Sequence, residues 1–337
     1  MPAQIALSVV VVVYDMRREA ARTLHSLSVP YQRGVREADY EVLVIENGST
    51  EPLDANSVTG CAPNFRYLPV PEPAPSPARA VNFGIQQARG ALCAVMIDGA
   101  RLASAGLLEA ALSASRLHRR AVVATTNWHL GPATQQRSVA DGYTRQREDA
   151  LLVAIGWPAG DSGSRLFEIA APAASTREGI FRLPGESNFL CMPRELLAGE
   201  LGGCDERFDL PGGGLVNQDL FCRACALPDT ELLLLLGEGT FHQLHGGIST
   251  NAAAKDLSQE WQRQYQEMRG RSFAKSTRTP RLYGHIPPAL AQTAEWSARL
   301  SAELDRASDP VRRVKLIRAA AEQDAASRAE QQRLLLL

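Results

Sequence analysis

Ala91-Leu92-Cys93-Ala94-Val95-Met96-Ile97-Asp98-Gly99-Ala100-Arg101 is an apolar run that ends in a carboxylate, a small-residue pair and a cation. A run of this length, apolar at every position, reads as a strand buried on both faces of a parallel sheet. Its last residue then emerges at the carboxyl edge, where α/β folds bind ligands. Two earlier segments repeat the design. Ile5–Val13 leads into Tyr14-Asp15, and Glu41–Ile45 leads into Glu46-Asn47-Gly48-Ser49-Thr50. Three strand ends carrying polar residues describe one site, with Asp98 placed to meet a ligand.

The rest of the chain supports this reading. Met16–Ser28 has helical spacing and is stopped by Pro30; Phe65–Val70 is a third strand candidate, and five alternating prolines from Pro69 to Pro77 form a stiff connection. A helix is expected from Pro77 to Arg89 with Gly90 as its terminator, then a helix over Ser104–His118 and a strand over Ala121–Thr126. Periodicity fades between Trp128 and Gly179, apart from a helix around Thr144–Ile155. Pattern returns at Ile180–Leu183, Asn188–Met192, a helix over Asn217–Ala226 and a strand over Glu231–Leu236. Long irregular insertions of the first kind are often lids or substrate loops. Beyond Lys255 the chain reads as helices broken around Pro280–Pro288.

Composition narrows the function classes. With 36 Lys and Arg against 37 Asp and Glu, the net charge of -1 gives no general attraction to nucleic acid or anionic lipid. No apolar run approaches the roughly 20 residues of a membrane span, and the apolar start lacks the basic region of a signal peptide. The six cysteines then read as reduced thiols of a cytoplasmic protein, and the pair Cys222 and Cys225 as helix packing, since no second pair completes a metal site.

Five segments in order resemble the family 2 inverting glycosyltransferases of GT-A fold, over roughly residues 5–250. They are Ser8–Tyr14; Glu46-Asn47-Gly48-Ser49-Thr50; Ala78-Arg79-Ala80-Val81-Asn82-Phe83-Gly84; Met96-Ile97-Asp98; and Gly203-Cys204-Asp205-Glu206-Arg207-Phe208. The resemblance implies a Rossmann-like mixed sheet flanked by helices as residues 1–250, with residues 128–180 an acceptor-side insertion and residues 251–337 a helical C-terminal extension. It implies sugar transfer from a nucleotide-diphosphate donor to a saccharide or other hydroxyl, with inversion, in bacterial polysaccharide or glycoconjugate assembly. No nucleic acid partner is expected. The location is cytoplasmic or peripheral to the membrane, and the C-terminal helices are candidates for homo-oligomerisation.

On this reading Tyr14, Asp15, Glu46, Asn47, Arg79, Asp98 and Arg101 contact the donor nucleotide. Asp219, in Gln218-Asp219 after the glycines, is the expected general base. Gly213 and Gly214 let the acceptor approach closely, and Trp128 and Trp157 either stack on sugar faces or close a small core. The chain departs from the family at Asp98-Gly99-Ala100, where the usual Asp-x-Asp has a second carboxylate for a divalent metal, Mn²⁺ or Mg²⁺. Either Asp98 holds the metal with His242 or His245, or Arg101 neutralises the diphosphate without one. The contrasting reading is a binding or scaffold protein of the same fold that has lost catalysis, consistent with Ala100 and Gln218.

Overall fold

The structure is a computed structural model and describes residues 5–159, 162–246 and 254–336. Its strands are β1 (Leu7–Val13), β2 (Tyr40–Glu46), β3 (Phe65–Pro69), β4 (Leu92–Met96), β5 (Arg101–Ala103), β6 (Ala121–Leu130), β7 (Ala170–Pro172), β8 (Leu190–Pro193), β9 (Glu231–His242) and β10 (Arg281–Gly284). They form one sheet in the order β10-β9-β6-β8-β4-β1-β2-β3, with β5 paired to β9 and β7 to β6. β1 pairs in parallel with both β2 and β4, so the three polar strand ends read from the sequence do converge at one edge.

β1 shows why the sequence folds this way. All seven of its residues are buried, and successive side chains of a strand point to opposite faces. Val9, Val11 and Val13 enter a core under the helices Arg17–Leu27 and Leu107–Ser115, while Val10 and Val12 enter the core under Ala78–Gln87 and Val216–Ala226. A strand covered on both sides is apolar where it meets those cores, and its one polar residue, Ser8, is satisfied by donating to Glu41 Oε1 at 2.7 Å.

The helices Arg17–Leu27 and Ala78–Gln87 fall within their predicted spans, whereas several boundaries differ. Ile180–Leu183, where pattern returns in the sequence, forms turns, and its Ile180 packs into a third core with Trp128, Phe167 and Phe241. β6 and β9 run beyond their predicted ends, to Leu130 and His242. The C-terminal extension is not wholly helical, because β10 joins the sheet beside β9. The helices Ala291–Arg306 and Pro310–Leu335 close over the 128–180 segment. Arg328 lies 5.6 Å from the Trp128 ring and donates to Phe167 O at 3.2 Å and Thr293 Oγ1 at 2.6 Å.

β9 carries an irregularity against β6, where Ala124 faces Leu234 but Thr126 faces Gly239. The bulged residues swing Glu238 toward Ser104, whose hydroxyl donates to it. Burial pushes the Glu238 carboxyl up from 4.5 to about 7, against the hydrogen bonds from Ser104 and Gly106. A carboxyl raised in the native state binds more protons there than in the unfolded chain between those two values. Its stability contribution is full below the unfolded value and is lost as pH rises to about 7. Glu238→Gln, which keeps an oxygen for the Ser104 hydroxyl, is expected to recover stability of order 2 kcal/mol at pH 8 and little at pH 4.5. Denaturant midpoints at the two pH values check this; parallel shifts in wild type and variant would refute it.

Candidate functional site

A cleft of about 480 Å³ opens at the carboxyl ends of β1, β2 and β4, within the size range of small-molecule sites. Tyr14 and Asp15 follow β1, Asn47 follows β2, and Asp98 follows β4; all four line the cleft. The loops are locked together. Asp15 N donates to Ser49 Oγ at 2.9 Å, and Thr50 N donates to Asp15 Oδ1 at 2.7 Å. Asn47 Nδ2 donates to Ala74 O at 2.9 Å, tying in the proline-rich connection. The Asp98 turn presses on β1: Gly99 N donates to Val12 O at 2.8 Å, and a Cβ at Gly99 would meet that oxygen at 2.8 Å. Only glycine leaves the backbone this close.

The unpredicted strand β5 organises the centre. Arg101 and His242 are register partners across the β5–β9 pair, so one strand delivers the cation and the other the imidazole to Asp98. His242 Nε2 stands 2.8 Å from Asp98 Oδ2, His245 Nε2 is 4.0 Å from the same oxygen, and the two imidazole Nε2 atoms are 3.1 Å apart. One ligating atom from each of the three side chains lies within 4.8 Å of the others. Burial of His242, then the positive charge of Arg101, lowers its pKa to about 4 despite the opposing Asp98 carboxylate. It is therefore a neutral imidazole at neutral pH, the form that ligates metals. Burial works against ionisation of Asp98, but His242 and Arg101 outweigh it and hold the carboxyl well below the usual range. Oδ1 of Asp98 accepts from Ala100 N at 2.9 Å, fixing the side chain.

Arg101 is 9% exposed, and its Nε lies 3.5 Å from Asp98 Oδ2 without a hydrogen bond. Its Nε and Nη1 are buried with no hydrogen-bond partner among the described residues, an arrangement suited to an anion entering the cleft. The segment that carries the histidines is fastened on both sides. Gln243 N donates to Ala100 O, Gln243 Nε2 donates to Glu19 O at 3.0 Å, and Leu244 N donates to Glu148 Oε2 at 2.7 Å. His129, which the sequence analysis did not single out, stands behind the cluster with its ring centroid 5.5 Å from that of His242. Its Nδ1 accepts from Gln135 N at 2.8 Å.

Other sequence candidates lie elsewhere. Glu46 is turned into its own loop, where Oε1 accepts from Ser49 N at 3.1 Å and Oε2 from Leu53 N at 3.2 Å; it closes the turn and is not on the cleft wall. Arg79 is exposed and faces Glu72 and Glu206. Trp128 is fully buried, with Nε1 donating to Thr126 Oγ1 at 3.0 Å, so of its two readings the core one holds. Trp157 packs on Tyr31 and His25, outside the cleft lining. Gly213 is buried against Pro77, while Gly214 lines the cleft opposite Trp261.

Asp219 is the largest departure. It is 1% exposed, with Arg223 Nε donating to Oδ2 at 2.8 Å and Arg269 donating to both oxygens at 2.6 and 2.7 Å. The cleft wall at this helix is formed by Val216, Asn217 and Gln218 instead. The resemblance points to the right turn of this helix, but Asp219 lies on its inward face. Arg145, Glu186, Asn188 and Trp261 also line the cleft and were not foreseen. They come from segments separated by long stretches of sequence, with no local pattern to unite them.

The family model for Glycosyl transferase family 2 matches residues 8–153. No curated protein matches the chain. Among solved structures, that of Staphylococcus aureus TarS 1-349 in complex with UDP-GlcNAc is similar at 12% identity and a TM-score of 0.49, covering 78% of this chain and 67% of that one. The same TarS fragment with UDP aligns at 12% identity and a TM-score of 0.48, over 98% of this chain and 92% of that one. Mannosyltransferase PcManGT from Pyrobaculum calidifontis, in complex with GDP-Man and Mn²⁺, aligns at 14% identity and a TM-score of 0.46, over 98% of this chain and 84% of that one. Among the described residues no helix is long and apolar enough to cross a membrane.

Proposed function

We propose, on the premise that residues 8–153 form a family 2 glycosyltransferase domain, that this chain transfers a sugar from a nucleotide-diphosphate donor to an acceptor hydroxyl with inversion. The observation that carries the reading is the cluster of Asp98, His242 and His245 beside Arg101, whose Nε and Nη1 have no hydrogen-bond partner among the described residues, at a cleft lined by Asp98, Arg101 and His245 on the carboxyl edge of the sheet. Tyr14, Asp15 and Asn47 offer an aromatic face and hydrogen-bonding groups for the base and ribose. Arg101 offers donors to the diphosphate, whose leaving charge needs fixed positive partners.

The donor set fits a divalent metal: one ionised carboxylate, one imidazole held neutral, and a second imidazole beside it. Two nitrogens and one oxygen suit Mn²⁺ better than Mg²⁺, which prefers oxygen ligands. Bound there by Asp98, His242 and His245, such a cation supplies neutralisation of the leaving diphosphate. His245 thus offers a replacement for the carboxylate absent at Ala100.

Calorimetric titration with UDP, GDP and dTDP, each with Mn²⁺ and with chelator, tests the assignment. Selective binding of one nucleotide, strengthened at least tenfold by Mn²⁺ and lost in His245→Ala, is the expected result. Binding indifferent to chelator but abolished in Arg101→Ala would give the diphosphate to the arginine alone. Failure of all three nucleotides to bind would reject the transferase reading in favour of a scaffold.

A further inference from the structure

Among the described residues, three carboxylates line the cleft: Asp15, Asp98 and Glu186. Two are already committed. Asp15 is bound by Thr50 at the β1 end, and Asp98 belongs to the histidine cluster. Glu186 is different. Its Oε2 accepts a hydrogen bond from Asn217 Nδ2 at 2.9 Å, and among the described residues no ion pair or hydrogen bond engages its Oε1. Among the described residues no arginine pairs with it, in contrast to Asp219 with two.

The backbone beneath Glu186 is anchored by one buried asparagine. Asn127 Nδ2 donates to Glu186 O at 2.8 Å, and Asn188 N donates to Asn127 Oδ1 at 3.0 Å. Asn217 Nδ2 bridges to Asn188 Oδ1 at 3.2 Å, so Glu186, Asn188 and Asn217 form a single network. Asn188 is 2% exposed, and its Nδ2 is a buried donor without a partner on a residue that lines the cleft. A buried polar group left unpaired is costly, and a bound hydroxyl would satisfy it.

Resting on the glycosyltransferase reading, we propose that Glu186 is the catalytic base and that Asn188 holds the acceptor hydroxyl beside it. The carboxylate takes the hydroxyl proton as the acceptor oxygen forms its bond to the donor's anomeric carbon. The bond from that carbon to the diphosphate oxygen breaks on the other side, and its electron pair leaves with the nucleoside diphosphate. Glu186 then returns the proton to water. Asn217 is a positioning residue that fixes the carboxylate from below.

The test uses the whole chain with Mn²⁺ and follows nucleoside diphosphate release from UDP-glucose, UDP-N-acetylglucosamine and GDP-mannose, with water as acceptor. Water also must lose a proton to attack. Glu186→Gln is expected to lower release about 10²- to 10⁴-fold, to remove the acid limb of the pH profile, and to bind nucleotide within about twofold of wild type. Glu186→Asp is expected to recover part of the rate and the acid limb. Turnover of Glu186→Gln within threefold of wild type, with the same pH profile, would overturn the assignment. So would loss of nucleotide binding in step with turnover. A wild-type protein that releases nothing from any of the three donors would instead reject the transferase reading, and this base with it.

Discussion

Asp98→Asn is expected to reduce nucleotide-sugar turnover by about 10³-fold and to abolish the effect of Mn²⁺ on nucleotide binding, with the fold intact. The reasoning starts from the two oxygens. Oδ1 accepts from Ala100 N and is preserved in asparagine. Oδ2 faces His242 at 2.8 Å and His245 at 4.0 Å, and in the variant this position is a neutral oxygen or an amide donor. A metal set of two imidazoles and no anion holds a hard divalent cation weakly. Arg101 Nε, 3.5 Å away, loses the negative charge facing it and becomes a stronger attractor of phosphate. The variant should therefore bind the nucleotide in chelator at least as well as wild type, while its turnover collapses. That combination separates loss of a metal ligand from general damage, which would lower both. Mn²⁺-dependent turnover near the wild-type rate would exclude Asp98 from the metal set.

The parts of this site that a single sequence reveals are those written in local pattern. β1, β2 and β4 announce themselves as apolar runs ending in polar residues, so the sequence alone places Tyr14, Asp15, Asn47 and Asp98 on one edge. His242 and His245 were reachable because they lie just beyond a clear strand core. Their approach to Asp98 is caused by β5, a three-residue strand whose Arg101-Leu102-Ala103 carries no periodic signal of its own. Its pairing with β9 is a tertiary decision. Glu186 and Asn188 were invisible for a related reason: their segment is ordered by Asn127 on β6, some sixty residues earlier, and a lone Glu-Ser-Asn stretch resembles any loop. Trp128 misleads in the opposite sense. A tryptophan in a weakly patterned segment can be a sugar platform or a core residue, and the decision rests on Phe167, Phe241 and Arg328, which pack around it from distant elements.

Asp219→Asn is expected to lower stability by about 3–5 kcal/mol, the cost of breaking a buried ion pair and leaving cations without a partner. Its two oxygens receive three charge-assisted hydrogen bonds, two from Arg269 and one from Arg223. Arg223 also donates to Leu201 O at 2.7 Å and Gly203 O at 2.6 Å, and Arg269 Nη1 reaches Asp205 at 2.9 Å. The carboxylate is thus the junction between the helix Val216–Ala226, the loop after Leu201 and the helix Ala254–Arg269. Asparagine can accept at one oxygen but opposes the arginines with its amide, so the junction loosens. Trp261, carried by Ala254–Arg269, lines the cleft, so turnover will fall as well, and activity alone cannot distinguish a base from a brace. Thermal or denaturant unfolding can. A base presented to substrate predicts native stability with turnover abolished at every temperature. The ion-pair junction predicts a lowered melting temperature, with turnover largely recovered on cooling or when nucleotide and Mn²⁺ are added, since ligands that bind the native state restore its population. A variant as stable as wild type but inactive would return the base to Asp219 and displace Glu186.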